Sequence, residues 1–200
     1  MTRLLLIRHA QSTWNAVGRW QGQADPPLTE LGERQAALAA TQVARMGDLV
    51  GIASSDLDRA HTTARIVAAE TGQDLVRVEE GLRERTAGPW EGLTRREIEV
   101  RWPRYLHEGR RPPGYEHDAH LVGRVTTALR DIASGAPGPM LVVTHGGVIN
   151  ALERRDGHSW VRVPNLAGRW VMVTADAVEL GERVELIDEN DRRATTPAQI

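Results

Sequence analysis

Apolar residues along the chain come in two patterns. In the first they are continuous: "LLLI" at positions 4–7 and "PMLVV" at 139–143 have the run length and uniform hydrophobicity of parallel strands covered on both faces. "LVGIASS" at 49–55 and "LVRV" at 75–78 are shorter versions, and strand-like pieces recur at 169–174 and 184–187. In the second pattern apolar residues are spaced as on a helix face. "LTELGERQAALAATQVARM" predicts a helix capped by Thr29, with Leu31, Ala37, Leu38 and Val43 on its buried side. "DRAHTTARIVAAETG" predicts another that stops at Gly72, and "LTRREIEVRW" begins a third. "EHDAHLVGRVTTALRDIASG" predicts a fourth with Asp118 as its cap. Residues 79–92 read as loop, and the polar tail from Asp188 is expected to be disordered. Strands separated by helices imply right-handed crossovers. The expected fold is therefore α/β, a three-layer α/β/α sandwich on a mainly parallel sheet, forming one domain over residues 1–200.

Composition narrows the chemistry. No apolar run is long enough to cross a bilayer, and the opening run lacks the basic leader and cleavage site of a signal peptide. A cytoplasmic location, away from any membrane, is the expectation. A formal charge of -2 offers no basic excess to attract nucleic acid. The chain has no cysteine, so there is neither a thiolate nucleophile nor a thiolate metal ligand. All 25 basic residues are arginine, which excludes a Schiff-base or phosphate-loop lysine and leaves only flat, permanently charged forks suited to phosphate or carboxylate.

Parallel sheets bind ligands beyond the carboxyl ends of their strands. The first strand ends in Arg8 and His9, and "LVVTHGG" delivers His145 with two glycines to the same edge. A lone histidine is most often structural, but two strands delivering histidines to one edge, one beside an arginine, point to a site.

These residues resemble the histidine phosphatase superfamily, also called phosphoglycerate mutase-like proteins. "RHAQSTWN" is similar to its opening signature, with alanine where glycine is usual. "GRWQGQADPPLTELG", "SSDLDRAHTTA", "LRERTAGPWEGLT" and "VVTHGGVI" resemble its remaining blocks, in order. The resemblance implies that His9 is a nucleophile accepting a phosphoryl group, that Arg8, Arg59, Asn15, Gln21, His145 and Gly146 hold the phosphate, and that no metal or other cofactor is needed. It implies that Glu84 protonates the leaving oxygen and then activates water; alone, an acid between Arg83 and Arg85 would read as a solvated surface group, and Glu91 is the substitute. The expected activity is phosphomonoester hydrolysis of a small phosphorylated metabolite, with sugar and sugar-acid phosphates among the candidates. Chain length and "GPWEGLT" resemble the phosphatase branch. Arg110 and Arg111 lie where mutases of the family bind a substrate carboxylate and are candidate substrate contacts, which keeps mutase-type transfer as an alternative. A non-catalytic domain binding a phospholigand or a protein is the other, and a homodimer is left open.

Other features read as structural. His117, Asp118 and His120 have spacings that could hold a metal, but no partner motif completes the site. Asp56 and Asp58 in "DLDRA" lack the pattern of an aspartate nucleophile and are expected to precede and cap the helix carrying Arg59. The six tryptophans, at 14, 20, 90, 102, 160 and 170, suggest core and pocket walls. After "THGGVINALE" the chain turns back early, shortening the pocket wall; His158 and Trp160 are candidates to replace it.

Overall fold

The computed structural model describes residues 1–73 and 76–192. In chain order the elements are β1 (Thr2–Arg8), α1 (Thr13–Ala16), α2 (Glu30–Met46), β2 (Ile52–Ser54), α3 (Asp58–Thr71), β3 (Val76–Val78), α4 (Arg95–Arg101), α5 (Asp118–Gly135), β4 (Met140–Thr144), α6 (Gly146–Arg155), β5 (Ala167–Val173), β6 (Val178–Glu185) and α7 (Glu189–Arg192). The segment read as loop holds two 3-10 turns, Glu80–Leu82 and Gly88–Trp90. Among the described residues the sheet runs β3-β2-β4-β1-β5-β6, with the first four strands parallel and β5 and β6 added antiparallel. The mainly parallel α/β/α architecture is thus observed.

Alternation along β1 builds the layers. Leu4 and Leu6 face a core shared with Leu121, Val125 and Leu129 of α5 and Val148 and Leu152 of α6. Leu5 and Ile7 face the opposite core, with Ala36, Ala39 and Val43 of α2 and Ala60, Ala64 and Val67 of α3. All four β1 residues are buried, each worth roughly 1.5–3 kcal/mol of hydrophobic stabilisation, which is why this run has no polar face. A third cluster of Trp20, Trp90, Leu93 and Ile98, flanked by Trp102, Tyr105 and Tyr115, sits outside the sheet.

Four expectations are corrected. The buried stripe of α2 is Gly32, Gln35, Ala36, Ala39, Ala40 and Val43, while Leu38 is 47% exposed: small residues, not the larger apolar ones, face α3, because its facing residues are also alanines and the helices pack closely. The N-cap of α3 is Leu57, with no side-chain cap; Asp56 instead pairs with Arg83, and the Asp58 N–H donates to Asp25 Oδ1 at 2.8 Å. The N-cap of α5 is His117, since Asp118 already lies in the first turn and pairs with Arg85 and Arg154. The C-terminal strands start two and six residues earlier than expected and form an antiparallel pair. The start of the tail forms α7, and positions 193–200 lie outside the described residues.

Candidate active site

Register alone brings the two histidines together. β1 and β4 pair in parallel with Arg8 opposite Thr144, so the next residue of each strand is also adjacent. The His9 N–H donates to the Thr144 carbonyl at 2.9 Å, and the rings of His9 and His145 meet edge to face with centroids 5.3 Å apart. On one side of this pair is a cavity lined by Arg8, His9, Trp20, Gln21, Gly22, Arg59, Glu84, Arg85, Ala87, Tyr115, Gly146 and Gly147.

The ring of His9 has a defined tautomer. Its Nδ1 lies 2.6 Å from the Ala10 carbonyl, which can only accept, so Nδ1 carries the proton and Nε2 keeps its lone pair. Burial first, then Arg59 and Arg8, hold His9 well below the usual imidazole range. The guanidinium effect expected from the sequence is present, but desolvation exceeds it. His145 is depressed in the same way, by burial and then by Arg59, His9, Arg8 and Arg124, and both its ring nitrogens are buried without a hydrogen-bond partner. Both rings are therefore neutral at neutral pH.

The two arginines are cations fixed by backbone carbonyls. Arg8 Nη1 donates to Val163 O at 2.9 Å. Arg59, fully buried, donates to Ala24 O and Gly22 O, each at 2.8 Å, from the first turn of α3. Burial lowers each to about 10, for Arg8 with help from Arg162. That still leaves both charged at neutral pH.

Glu84 enters from the loop before Gly88–Trp90. Its Oε1 accepts from the Arg85 N–H at 2.8 Å and its Oε2 from the Gly147 N–H at 2.9 Å, so the N-terminus of α6 orients it. A Cβ on Gly147 would lie 2.2 Å from Glu84 Oε1; only glycine admits the carboxylate here. Glu91, the substitute acid, has another duty. Its Oε1 accepts from Gln23 N, Ala87 N and Thr86 Oγ1 at 3.0, 3.0 and 3.2 Å, tying two loops together, and it does not line the cavity.

The remaining expected residues divide. Gln21 lines the cavity with its Oε1 held by the Ser12 hydroxyl at 2.7 Å, and Gly146 lines it from the first turn of α6. Asn15 and His145 stand behind the lining: Asn15 closes a capping box with Ser12, and its Oδ1 also accepts from Asn165. Arg111 lines a neighbouring chamber, packed over the rings of Trp90 and Tyr115, whereas Arg110 stacks on Tyr105, pairs with Glu108 and lines neither space. Trp160 is 48% exposed, and neither it nor His158 replaces any wall of the two chambers, correcting that expectation. The early turn after α6 has a different effect. It brings Val163 O to Arg8 and Asn165 to the His9 carbonyl, which accepts from Asn165 Nδ2 at 2.7 Å. Among the described residues, no group of three or more His, Asp or Glu is placed to hold a metal; Asp118 is taken by two arginines and His120 by Glu116.

Several contributors carry no local signal in the sequence. Arg124 of α5 donates to the carbonyls of Gly81, Arg83 and Glu84 at 2.9, 2.8 and 3.0 Å, and to both oxygens of Glu116 at 2.8 Å, clamping the loop that bears Glu84. In the sequence it reads as one more solvated helix arginine. Arg85, Tyr115 and Asn165 are similar cases.

Residues 4–159 match the family model described as histidine phosphatase superfamily (branch 1). The chain belongs to this superfamily. The expected enzyme class, a phosphoric monoester hydrolase of the histidine phosphatase kind, stands with that membership. Among its relatives, a metal-independent phosphoserine phosphatase of Arabidopsis thaliana is 32% identical over 94% of this chain and 80% of its own length. A glucosyl-3-phosphoglycerate phosphatase of Mycobacterium tuberculosis is 35% identical over 76% of this chain and 73% of its own. A solved structure of a mycobacterial glucosyl-3-phosphoglycerate phosphatase complexed with VO3 superposes with a TM-score of 0.79 at 29% identity, covering 90% of this chain and 97% of that one.

Proposed function

We propose that this histidine phosphatase hydrolyses a small phosphorylated metabolite in two steps through phosphohistidine. In the first, the His9 Nε2 lone pair attacks phosphorus, an N–P bond forms and the bond from phosphorus to the ester oxygen breaks. That oxygen takes a proton from the Glu84 carboxyl and leaves as the alcohol. In the second, Glu84, now a carboxylate, takes a proton from water as the water oxygen attacks phosphorus; the N–P bond breaks, and inorganic phosphate leaves. The proton that Glu84 gives to the leaving oxygen is thus restored to it from water, and His9 is again free of phosphate.

The observation that carries this reading is the state of His9: a neutral ring, its proton held on Nδ1 by Ala10 and its Nε2 free, next to two buried cations. Arg8 and Arg59 offset the phosphate's charge, and the Gln21 amide, which lines the cavity with them, adds a hydrogen bond. Arginine thus supplies the electrostatic stabilisation for which other phosphoryl-transfer enzymes use a divalent ion. Phosphoserine and glucosyl-3-phosphoglycerate, named for the relatives, support a phosphorylated metabolite as the substrate class. The mutase alternative loses ground because Arg110, one of the pair it needs, stacks on Tyr105 and lines neither chamber.

The test is His9→Ala, assayed on nitrophenyl phosphate together with base-quench trapping of phosphohistidine. A folded variant without turnover or trapped phosphate is expected. Substantial turnover by that variant would sink the mechanism.

A further inference from the structure

Gln35 is a fully buried amide on the stripe of α2 that carries Gly32, Ala36 and Ala39. An apolar side chain is the ordinary occupant of such a position, and an amide costs free energy there unless both of its ends are paired. Both are. Gln35 Oε1 accepts from the Gln11 N–H at 3.2 Å, and its Nε2 donates to the Asp191 carbonyl of α7 at 2.8 Å. An N–H can only donate and a carbonyl can only accept, so these two partners fix which way round the amide stands.

The Gln11 N–H belongs to the same peptide group as the Ala10 carbonyl, and that carbonyl is the acceptor 2.6 Å from His9 Nδ1. A continuous chain therefore runs from the nucleophile to α7: from His9 Nδ1 to Ala10 O, across one peptide plane to the Gln11 N–H, then through Gln35 to Asp191 O. Each bond in such a chain polarises the next, so an acceptor on the N–H makes the carbonyl of the same peptide a better acceptor. The neighbouring peptides are pinned as well. The Ala10 N–H donates to Thr63 Oγ1 at 3.1 Å, the Gln11 carbonyl accepts from the Thr29 N–H at 3.0 Å, and a Cβ on Gly32 would lie 2.1 Å from that carbonyl oxygen. Gln35 engages the Ala10–Gln11 plane itself.

We infer that Gln35 is a positioning residue for the reaction: by holding the Ala10–Gln11 peptide it keeps the proton of His9 on Nδ1 and the lone pair on Nε2, the atom that attacks phosphorus. The inference rests on the reading of His9 as the nucleophile. Gln35 does not line the cavity and acts only through this peptide. Without it the Gln11 N–H is a buried donor that has lost this acceptor, and a rotation of the plane that seeks another carries the Ala10 carbonyl off Nδ1. The ring then populates its other neutral tautomer, whose Nε2 carries the proton and has no lone pair to attack with. Arg8 and Arg59 are anchored on Val163 O, Ala24 O and Gly22 O, none of which Gln35 touches, so the hold on phosphate is independent of it.

Gln35→Met, which keeps the length of the side chain and removes both hydrogen bonds, tests it. On nitrophenyl phosphate kcat/KM reports the attack by His9 and should fall roughly tenfold, the loss of about one hydrogen bond, while the inhibition constant of inorganic phosphate changes by less than about twofold. Proton–nitrogen correlation spectra of the imidazoles, with the His9 signal identified by its absence from His9→Ala, should show His9 protonated on Nδ1 in wild type. In the variant a population protonated on Nε2 should appear. An unchanged kcat/KM in folded Gln35→Met overturns the inference, and so does a fall in rate with the tautomer unchanged and phosphate binding weakened in parallel, the signature of a general loosening. A wild-type His9 protonated on Nε2 overturns it without any variant. His9→Ala separates the two readings: turnover that persists in it refutes the nucleophile, whereas turnover lost in it but intact in Gln35→Met refutes the role of Gln35 alone.

Discussion

Acidification should destabilise this fold through the two histidines at its centre. Both are held well below the ordinary value of 6.5 in the native state, mainly by burial and then by Arg59. In the unfolded chain they titrate normally. Below pH 6.5 the unfolded state therefore binds protons that the native state refuses, and stability, complete above that pH, falls as pH drops towards the depressed native values. Each histidine contributes up to about 1.4 kcal/mol per pH unit in this window. Between pH 7 and pH 5.5 each histidine therefore costs stability on the order of 1 kcal/mol, and the two losses act in the same direction. The assay is urea denaturation followed by tryptophan fluorescence at half-unit steps of pH, in wild type and in His9→Asn. Other titrating groups are common to both proteins, so the difference between the two pH profiles isolates His9. His145 stays depressed in the variant because burial and Arg59, its two largest causes, remain. The variant should lose less stability than wild type over the same interval, by an amount on the order of 1 kcal/mol. Identical profiles would refute the reasoning, since they would mean that His9 accepts a proton in the native state as readily as in the unfolded one.

Glu84→Gln should slow alkyl phosphates by ~10²–10⁴-fold and nitrophenyl phosphate far less, because phenolate leaves with little help from an acid; equal slowing of both would argue for a positioning role instead. Gly147→Ala, which puts a methyl 2.2 Å from Glu84 Oε1, should reproduce that divergence in a folded protein by turning the carboxyl away, and a wild-type ratio of the two rates would count against the assigned geometry. Arg124→Met should lower stability by about 3 kcal/mol, since it takes from the partly buried Glu116 its guanidinium partner and from the carbonyls of Gly81 and Arg83 their side-chain donor, and thermal unfolding within a degree of wild type would contradict this. Turnover should survive excess chelator, as expected when arginine carries the charge compensation; loss on chelation with recovery on adding zinc or magnesium would point to a metal-dependent route.

Local pattern was enough to outline the fold and the centre of the site. The continuous run Leu4 to Ile7 and its counterpart in β4 could only be buried parallel strands, and the residues at the end of each run, Arg8 with His9 and His145 with two glycines, had to emerge at one sheet edge. Arg59 was assigned by resemblance, with which its place in the first turn of a helix that stops readably at Gly72 agrees. Glu84 was legible only by resemblance, because an acid between two arginines has no local feature that marks it as buried. Tertiary structure decided everything that depends on pairs distant in sequence. Arg124 reaches carbonyls 40 to 43 residues away, Asp118 meets Arg85 and Arg154 in place of capping its helix, and Glu91 ties loops in place of entering the cavity. Side chains such as these have the same composition and spacing whether they are solvated or buried, so only the approach of another element determines which charge they meet. The buried face of α2 was misread for the same reason: Leu38 has the more apolar side chain, but alanines on the facing helix permit close packing, and that approach favours the small residues of α2.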